Sequence, residues 1–191
     1  MTPATRKASA KEAKQDEILD VAVSRLTQDG YAGLSVIGIA RDLGVAANTI
    51  YWYYPSKDHL FVAAMQRISM RIVQAKPPHA AGFAAQATWF VDRLAELRPV
   101  RMAVHERART SELVAEYERG FQAQLRAMLE GGLRENLPAN EVDDAADLFL
   151  ATVEGLLVTD RSKADRRRVL DRLLRGLGLD AAARQRRETS A

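Results

Sequence analysis

Apolar residues recur every three or four positions along this chain, and they nowhere settle into alternation with polar ones. The first such face comprises Ile18, Leu19, Ala22, Val23 and Leu26, a spacing that falls on one side of a helix. A half-buried strand needs a period of two, so the pattern predicts an all-α fold of helices packed by their apolar stripes. Composition agrees, since Ala, Leu, Arg and Glu abound and lose little rotamer freedom in a helix.

Punctuation residues divide the pattern. A first helix is expected over 11–29, closed by Gly30 with Tyr31 folding back on it. Ser35 then caps a second helix holding Val36, Ile39, Ala40 and Leu43, which Gly44 ends. A short third helix covers Ala47 to Tyr53 and stops at Pro55. Ser56 caps a fourth, whose Leu60, Phe61, Ala64, Met65 and Ile68 face a core, and Pro77-Pro78 closes it. Longer helices follow at 79–97, 99–107, 111–135, 140–159 and 163–177, with breaks at Pro99, at Gly131-Gly132, at 137–140 and at 160–162. The expected organisation is a disordered basic arm over 1–10, a small domain over 11–56, a larger helical domain over 57–178 and a basic disordered tail over 179–191.

Two short helices joined by Gly44-Val45 make a helix-turn-helix, the motif whose second helix enters the major groove of DNA. Ala40 is small enough for a close crossing, Gly44 tolerates the turn, and Val45 and Ile50 are spaced to hold the helices together. The runs Gly33–Ala40, Leu43-Gly44-Val45 and Thr49–Phe61, the last containing Tyr51-Trp52-Tyr53-Tyr54-Pro55-Ser56-Lys57-Asp58-His59-Leu60-Phe61, resemble the tetracycline-repressor (TetR) family. The resemblance covers roughly Lys14 to Phe61, and the rest of the chain agrees in length and helix content.

The resemblance implies phosphate contacts at Ser35, Tyr51 and Lys57. Ser35 and Lys57 lie at helix N-termini, where free N–H groups and the helix dipole favour an anion; a plain cap explains Ser35 equally well. Ala46, Ala47, Asn48, Thr49 and Trp52 complete the implied DNA-facing set, whereas Tyr53 and Tyr54 are expected to pack. Of these, Asn48 alone suits bidentate reading of a base, namely adenine, while Ala46 and Ala47 meet only thymine methyls. Ile37-Gly38 replaces the polar pair usual on the second helix, so specificity is expected to lean on DNA shape and on a basic arm containing Arg6, Lys7, Lys11 and Lys14.

Charge and composition limit the alternatives. The net charge is +3, and residues 161–191 are conspicuously basic, which suits phosphate or a solvated tail. There is no cysteine, which excludes a disulfide framework, a thiolate zinc site and a cysteine nucleophile. His59, His79 and His105 lack metal-ligand spacing. No Gly-rich phosphate loop, nucleophile elbow or His-Glu pair is present, so neither an enzyme nor a cofactor is expected. No apolar run spans a bilayer, and the N-terminus lacks a secretory core, which points to a soluble cytoplasmic protein.

For the larger domain the resemblance implies a small-molecule pocket and a dimer interface. Pocket candidates are Met65, Phe83, Trp89, Phe90, Met102, His105, Tyr117, Phe121 and Met128, with Asp92 as a further polar handle. The stripes Phe149, Leu150, Val153, Leu156, Leu157 and Val169, Leu173, Leu174, Leu177 suit a four-helix bundle across a two-fold axis, with Gly155 allowing close approach; the alternative is that they fill a monomer core, and the resemblance favours the dimer. The expected protein is a homodimeric repressor that binds a palindromic operator on double-stranded DNA and is released by a small-molecule effector. A ligand-independent architectural DNA binder and a helical interaction module with a vestigial helix-turn-helix are the alternatives.

Overall fold

The computed structural model describes residues 3–75, 77 and 81–179, with side chains from Ala10 onward. Among these residues every regular element is helical: α1 (Pro3–Gly33), α2 (Val36–Asp42), α3 (Ala47–Tyr53), α4 (Lys57–Gln74), α5 (Phe83–Glu96), α6 (Arg98–Ala108), α7 (Glu112–Arg134), α8 (Val142–Val158) and α9 (Lys163–Gly176), with a 3-10 turn at Ala139–Glu141 before α8. None of the described helices is long and apolar enough to cross a membrane. The chain divides into two compact units, Met1–Gln74 with Pro99–Glu118, and Ala75–Arg98 with Arg119–Ala191.

The first unit is built on the pairing of α1 with α4. Ile18, Ala22 and Leu26 of α1 and Leu60, Phe61 and Ala64 of α4 are all fully buried, each large side chain contributing about 1.5–3 kcal/mol. Outside this seam Arg67 pairs with Asp16 and Arg71 with Asp20, at 2.6 Å. These exposed pairs add under about 1 kcal/mol each, so packing holds the helices together and charge sets their register. At Gly30 the backbone turns left-handed (φ 65°) and the helix then resumes to Gly33, which places Tyr31 edge-on to Phe61 at 4.9 Å. The first helical run thus stops at Gly30, as expected, and a further turn follows it to Gly33. At its other end α1 is helical from Pro3, where the sequence reading puts an irregular arm as far as residue 10; the expected arm residues Arg6 and Lys7 lie outside the described side chains.

The second unit has its core among α5, α8, α9 and the later turns of α7, with Val91, Leu133, Ala146, Phe149, Leu170 and Leu174 at its centre. Two expectations are corrected here. The helix does not break at Gly131-Gly132 but runs on to Arg134. Two mid-helix glycines cost about 1 kcal/mol each, and the burial of Leu129 and Leu133 on either side offsets this. The apolar stripes assigned to an intersubunit bundle instead fill this unit. Phe149, Val153, Leu156, Leu157 and Leu174 are buried within it, and Leu150, Leu173 and Leu177 pack against its core. A stripe buried in its own unit has the same period as one buried against a second copy, so periodicity cannot separate the two.

Candidate nucleic-acid interface and cavity

The geometry of the helix-turn-helix follows from its local chemistry. Ser35, in extended conformation, accepts a hydrogen bond at Oγ from the Gly38 N–H at 3.2 Å, which satisfies one of the orphan donors of α2. At the other end Gly44 adopts φ 63°, the Val45 N–H donates to the Ala40 carbonyl at 2.9 Å and the Gly44 N–H to the Arg41 carbonyl at 3.2 Å. This is the Schellman closure, and it needs a residue without a Cβ at Gly44. The chain then enters α3, whose single buried side chain is Ile50.

Everything else on α3 is left wholly or partly outside. Tyr51 is 44% exposed and Trp52 65% exposed, while Ala46 and Asn48 are exposed and Ala47 and Thr49 half-buried. Trp52 stands edge-on to Tyr53 at 4.7 Å, and the Lys11 ammonium sits 4.8 Å from its ring centroid. Tyr54 is buried. Ile37 is 72% exposed, and its neighbour Gly38 lies beneath the guanidinium of Arg25. A Cβ there would lie 2.9 Å from Arg25 Nη1, and Arg25 crosses this spot to bind Asp42, Nε to Oδ2 at 2.8 Å.

Lys57 opens α4, but its ammonium turns inward, 4.0 Å from the Tyr31 ring centroid. Burial, and then the Arg107 charge, hold its pKa below the ordinary lysine range. Tyr31 donates to Asp58 Oδ1 at 2.8 Å and Arg107 Nη2 donates to Asp58 Oδ2 at 2.7 Å. Burial works to raise the Asp58 pKa, but hydrogen bonds from Arg107, Ser111 and Tyr31 outweigh it and leave the carboxyl below the usual range. Burial, then the bond to Asp58, pushes the Tyr31 phenol up to about 12. Sequence reading missed this cluster, because its members are 27 and 49 residues apart and carry no local signal.

In the second unit a cavity of about 760 Å³ opens among α5, α7 and α8. Of the expected pocket residues, Phe83, Trp89, Phe90 and Met128 line it. The others do not. Met65 is buried in the first unit and Met102 is exposed on α6. His105 pairs with Glu118, the Tyr117 hydroxyl is 3.1 Å from Ser69 Oγ, and Phe121 packs against the second unit's core. Asp92 is paired with Lys163 at 3.0 Å. His79 lies outside the described residues. Among those described, no group of three or more His, Asp or Glu is placed to hold a metal ion.

Residues 18–64, which run from the buried face of α1 through the turn to the first half of α4, match the model of the bacterial regulatory proteins of the tetR family. Over this segment the chain is similar to the TetR family. TetR-family proteins are regulators rather than enzymes. The similarity in sequence is to the transcriptional repressor KstR of Rhodococcus jostii (strain RHA1), 34% identical over 64 residues, which is 34% of this chain and 30% of that repressor. KstR of Mycolicibacterium smegmatis is 35% identical over 63 residues, 33% of this chain and 31% of that protein. The chain thus matches less than a third of these relatives' length. A transcriptional regulator from Rhodococcus sp. Rha1 superposes with a TM-score of 0.68 at 20% identity, covering 85% of this chain and 96% of that one. A regulator from Saccharomonospora viridis, solved in complex with choline, gives 0.66 at 16%, covering 86% and 96%. At these identities the structural likeness shows a shared fold over the helices beyond residue 64 and carries no function with it.

Proposed function

We propose that this protein is a TetR-family transcriptional repressor, cytoplasmic and homodimeric, that binds a palindromic operator through α2 and α3 and is released by a small-molecule effector. The observation that carries it is the capped α2–Gly44–α3 unit, which buries Ile50 and leaves Asn48, Tyr51 and Trp52 outward. Large aromatics exposed on a rigid short helix need a partner surface, and a helix-turn-helix offers them to the major groove. In this reading Ser35, Tyr51 and the α4 N-terminus at Lys57 hold phosphates, while Ala46, Ala47, Asn48, Thr49 and Trp52 face bases. The DNA-binding domain is taken as residues 11–56 and the regulatory domain as 57–178.

Support for a dimer lies on the outward side of α8. Leu148 is 51% and Val158 61% exposed, and with exposed Ala151 and Gly155 they form a stripe narrow enough for close helix approach. Asp144 and Glu154 flank this stripe, and Arg167, Arg168, Arg172 and Arg175 are exposed on α9. An exposed apolar stripe can meet its own copy, as a two-fold interface requires. Support for an effector is the cavity itself, together with the regulator from Saccharomonospora viridis that was solved with choline. Ligand binding would alter the separation of two recognition helices that otherwise fit successive major grooves about 34–36 Å apart.

The test is selection of bound duplexes from a random pool at near-physiological salt. Enrichment of one inverted repeat, lost in Tyr51→Ala, is the expected outcome. Binding without enrichment, fading steeply as salt rises, would replace this reading with the architectural one that the sparse base-reading set of α3 also allows.

A further inference from the structure

We infer that Arg107, on α6 and far along the chain from the helix-turn-helix, is a positioning residue for DNA: by holding the Asp58 carboxylate it leaves the Lys57 ammonium free to meet a backbone phosphate. This rests on reading Lys57 as a phosphate contact. Lys57 and Asp58 are consecutive at the start of α4, so a phosphate drawn to the first approaches the second. An unpaired carboxylate there would work against DNA twice, since it repels the phosphate and competes for the lysine.

The arrangement of donors around Asp58 prevents both. Its Oδ2 accepts from Arg107 Nη2 at 2.7 Å, its Oδ1 accepts from the Tyr31 hydroxyl at 2.8 Å, and Ser111 supplies a further hydrogen bond. Tyr31 and Ser111 are neutral donors, so Arg107 is the one among the three that cancels the charge. Arg107, and not the adjacent Lys57, has taken the carboxylate. The Lys57 ammonium rests instead 4.0 Å from the Tyr31 ring centroid, and Arg107 Cζ lies 5.5 Å from the centroid of the same ring. A ring face holds a cation less firmly than an anion does. Burial and the Arg107 charge both act against a charged lysine at that place, so a phosphate offers the ammonium the stronger partner. Without Arg107 the balance reverses: the Asp58 charge is no longer cancelled, and Lys57 is the cation beside it.

The experiment measures the affinity of full-chain variants for a selected operator duplex across a salt series, together with the melting temperature of each variant. Arg107→Gln is expected to bind about tenfold more weakly, with a salt slope lower by about 1 per half-site, as the loss of one phosphate contact requires. Adding Lys57→Ala to it lowers affinity no further, because the two substitutions remove the same contact. Arg107→Lys, which keeps the charge, retains the wild-type slope. Asp58→Asn, alone or combined with Arg107→Gln, binds as the wild type does although its melting temperature falls, so affinity does not follow stability. A double variant as weak as Arg107→Gln would overturn the inference, because Arg107 would then touch DNA itself or merely support the fold. Wild-type affinity in Arg107→Gln would overturn it too, as would an Arg107→Lys variant as weak as the glutamine one. A wild type that selects no duplex, or a Lys57→Ala slope equal to that of the wild type, overturns the phosphate reading and the inference with it. A slope lowered by Lys57→Ala but not by Arg107→Gln overturns the inference alone.

Discussion

Single atoms decide some positions in this molecule. Gly33 is one: a Cβ there would stand 2.3 Å from Asp29 Cβ, an atom fixed to its own backbone and unable to step aside. Gly33→Ala is expected to destabilise the first unit by about 1–3 kcal/mol through overpacking, measurable by chemical denaturation. Asp58 is another, because Tyr31 and Arg107 both converge on its carboxylate. Its folded pKa is depressed, so its contribution is present above the unfolded value of about 3.9 and is lost as pH falls through the folded one. Asp58→Asn should therefore be less stable than wild type near pH 7, and the gap should close below about pH 4. A constant gap across that range would refute the pairing. Tyr31 has the opposite sign. Its folded pKa of about 12 exceeds the ordinary value near 10, so its contribution is full below about pH 10 and drains away as pH rises through the folded value.

Single elements carry the proposed functions. α2 and α3 were legible in the sequence because every step of their construction is local: the Ser35 cap, the left-handed Gly44 and the stop at Pro55 all act within a few residues. α8 was half legible. Its period announced a helix with an apolar stripe, but which side would meet its own unit depended on α5 and α9, which are remote in sequence. On the proposed dimer, Val158→Arg at the 61% exposed position should shift the protein to monomer in sedimentation and leave its helical circular dichroism unchanged, because that side chain takes no part in the core. Phe149→Ala, on the buried side, should cost about 3–5 kcal/mol of stability by leaving a cavity. If the two variants exchanged phenotypes, the faces of α8 would be assigned the wrong way round.

For the whole molecule the proposed activity is a sum of weak, charge-driven contacts doubled by symmetry. The logarithm of operator affinity should fall linearly with the logarithm of salt, each neutralised phosphate adding about 0.9 to the slope. Lys57→Ala should lower that slope by about 1 per half-site if its ammonium leaves the Tyr31 ring to meet DNA. An unchanged slope would mean that the lysine serves the Tyr31–Asp58–Arg107 cluster alone and that backbone N–H groups at the start of α4 hold the phosphate.

By itself the sequence determined the helical class, the order of the elements and the helix-turn-helix, since each depends on periodicity, caps and turn residues that act over a handful of positions. The same short range brought Phe83, Trp89, Phe90 and Met128 to notice as large apolar groups. It could not tell them from Met65 or Tyr117, which have the same chemistry but are packed in the other unit. Tertiary structure alone decided which apolar stripes became core, how Tyr31, Asp58 and Arg107 meet, and that Gly131-Gly132 continues a helix beside a cavity. All of these depend on contacts between residues far apart along the chain, where burial and close approach outweigh local preference.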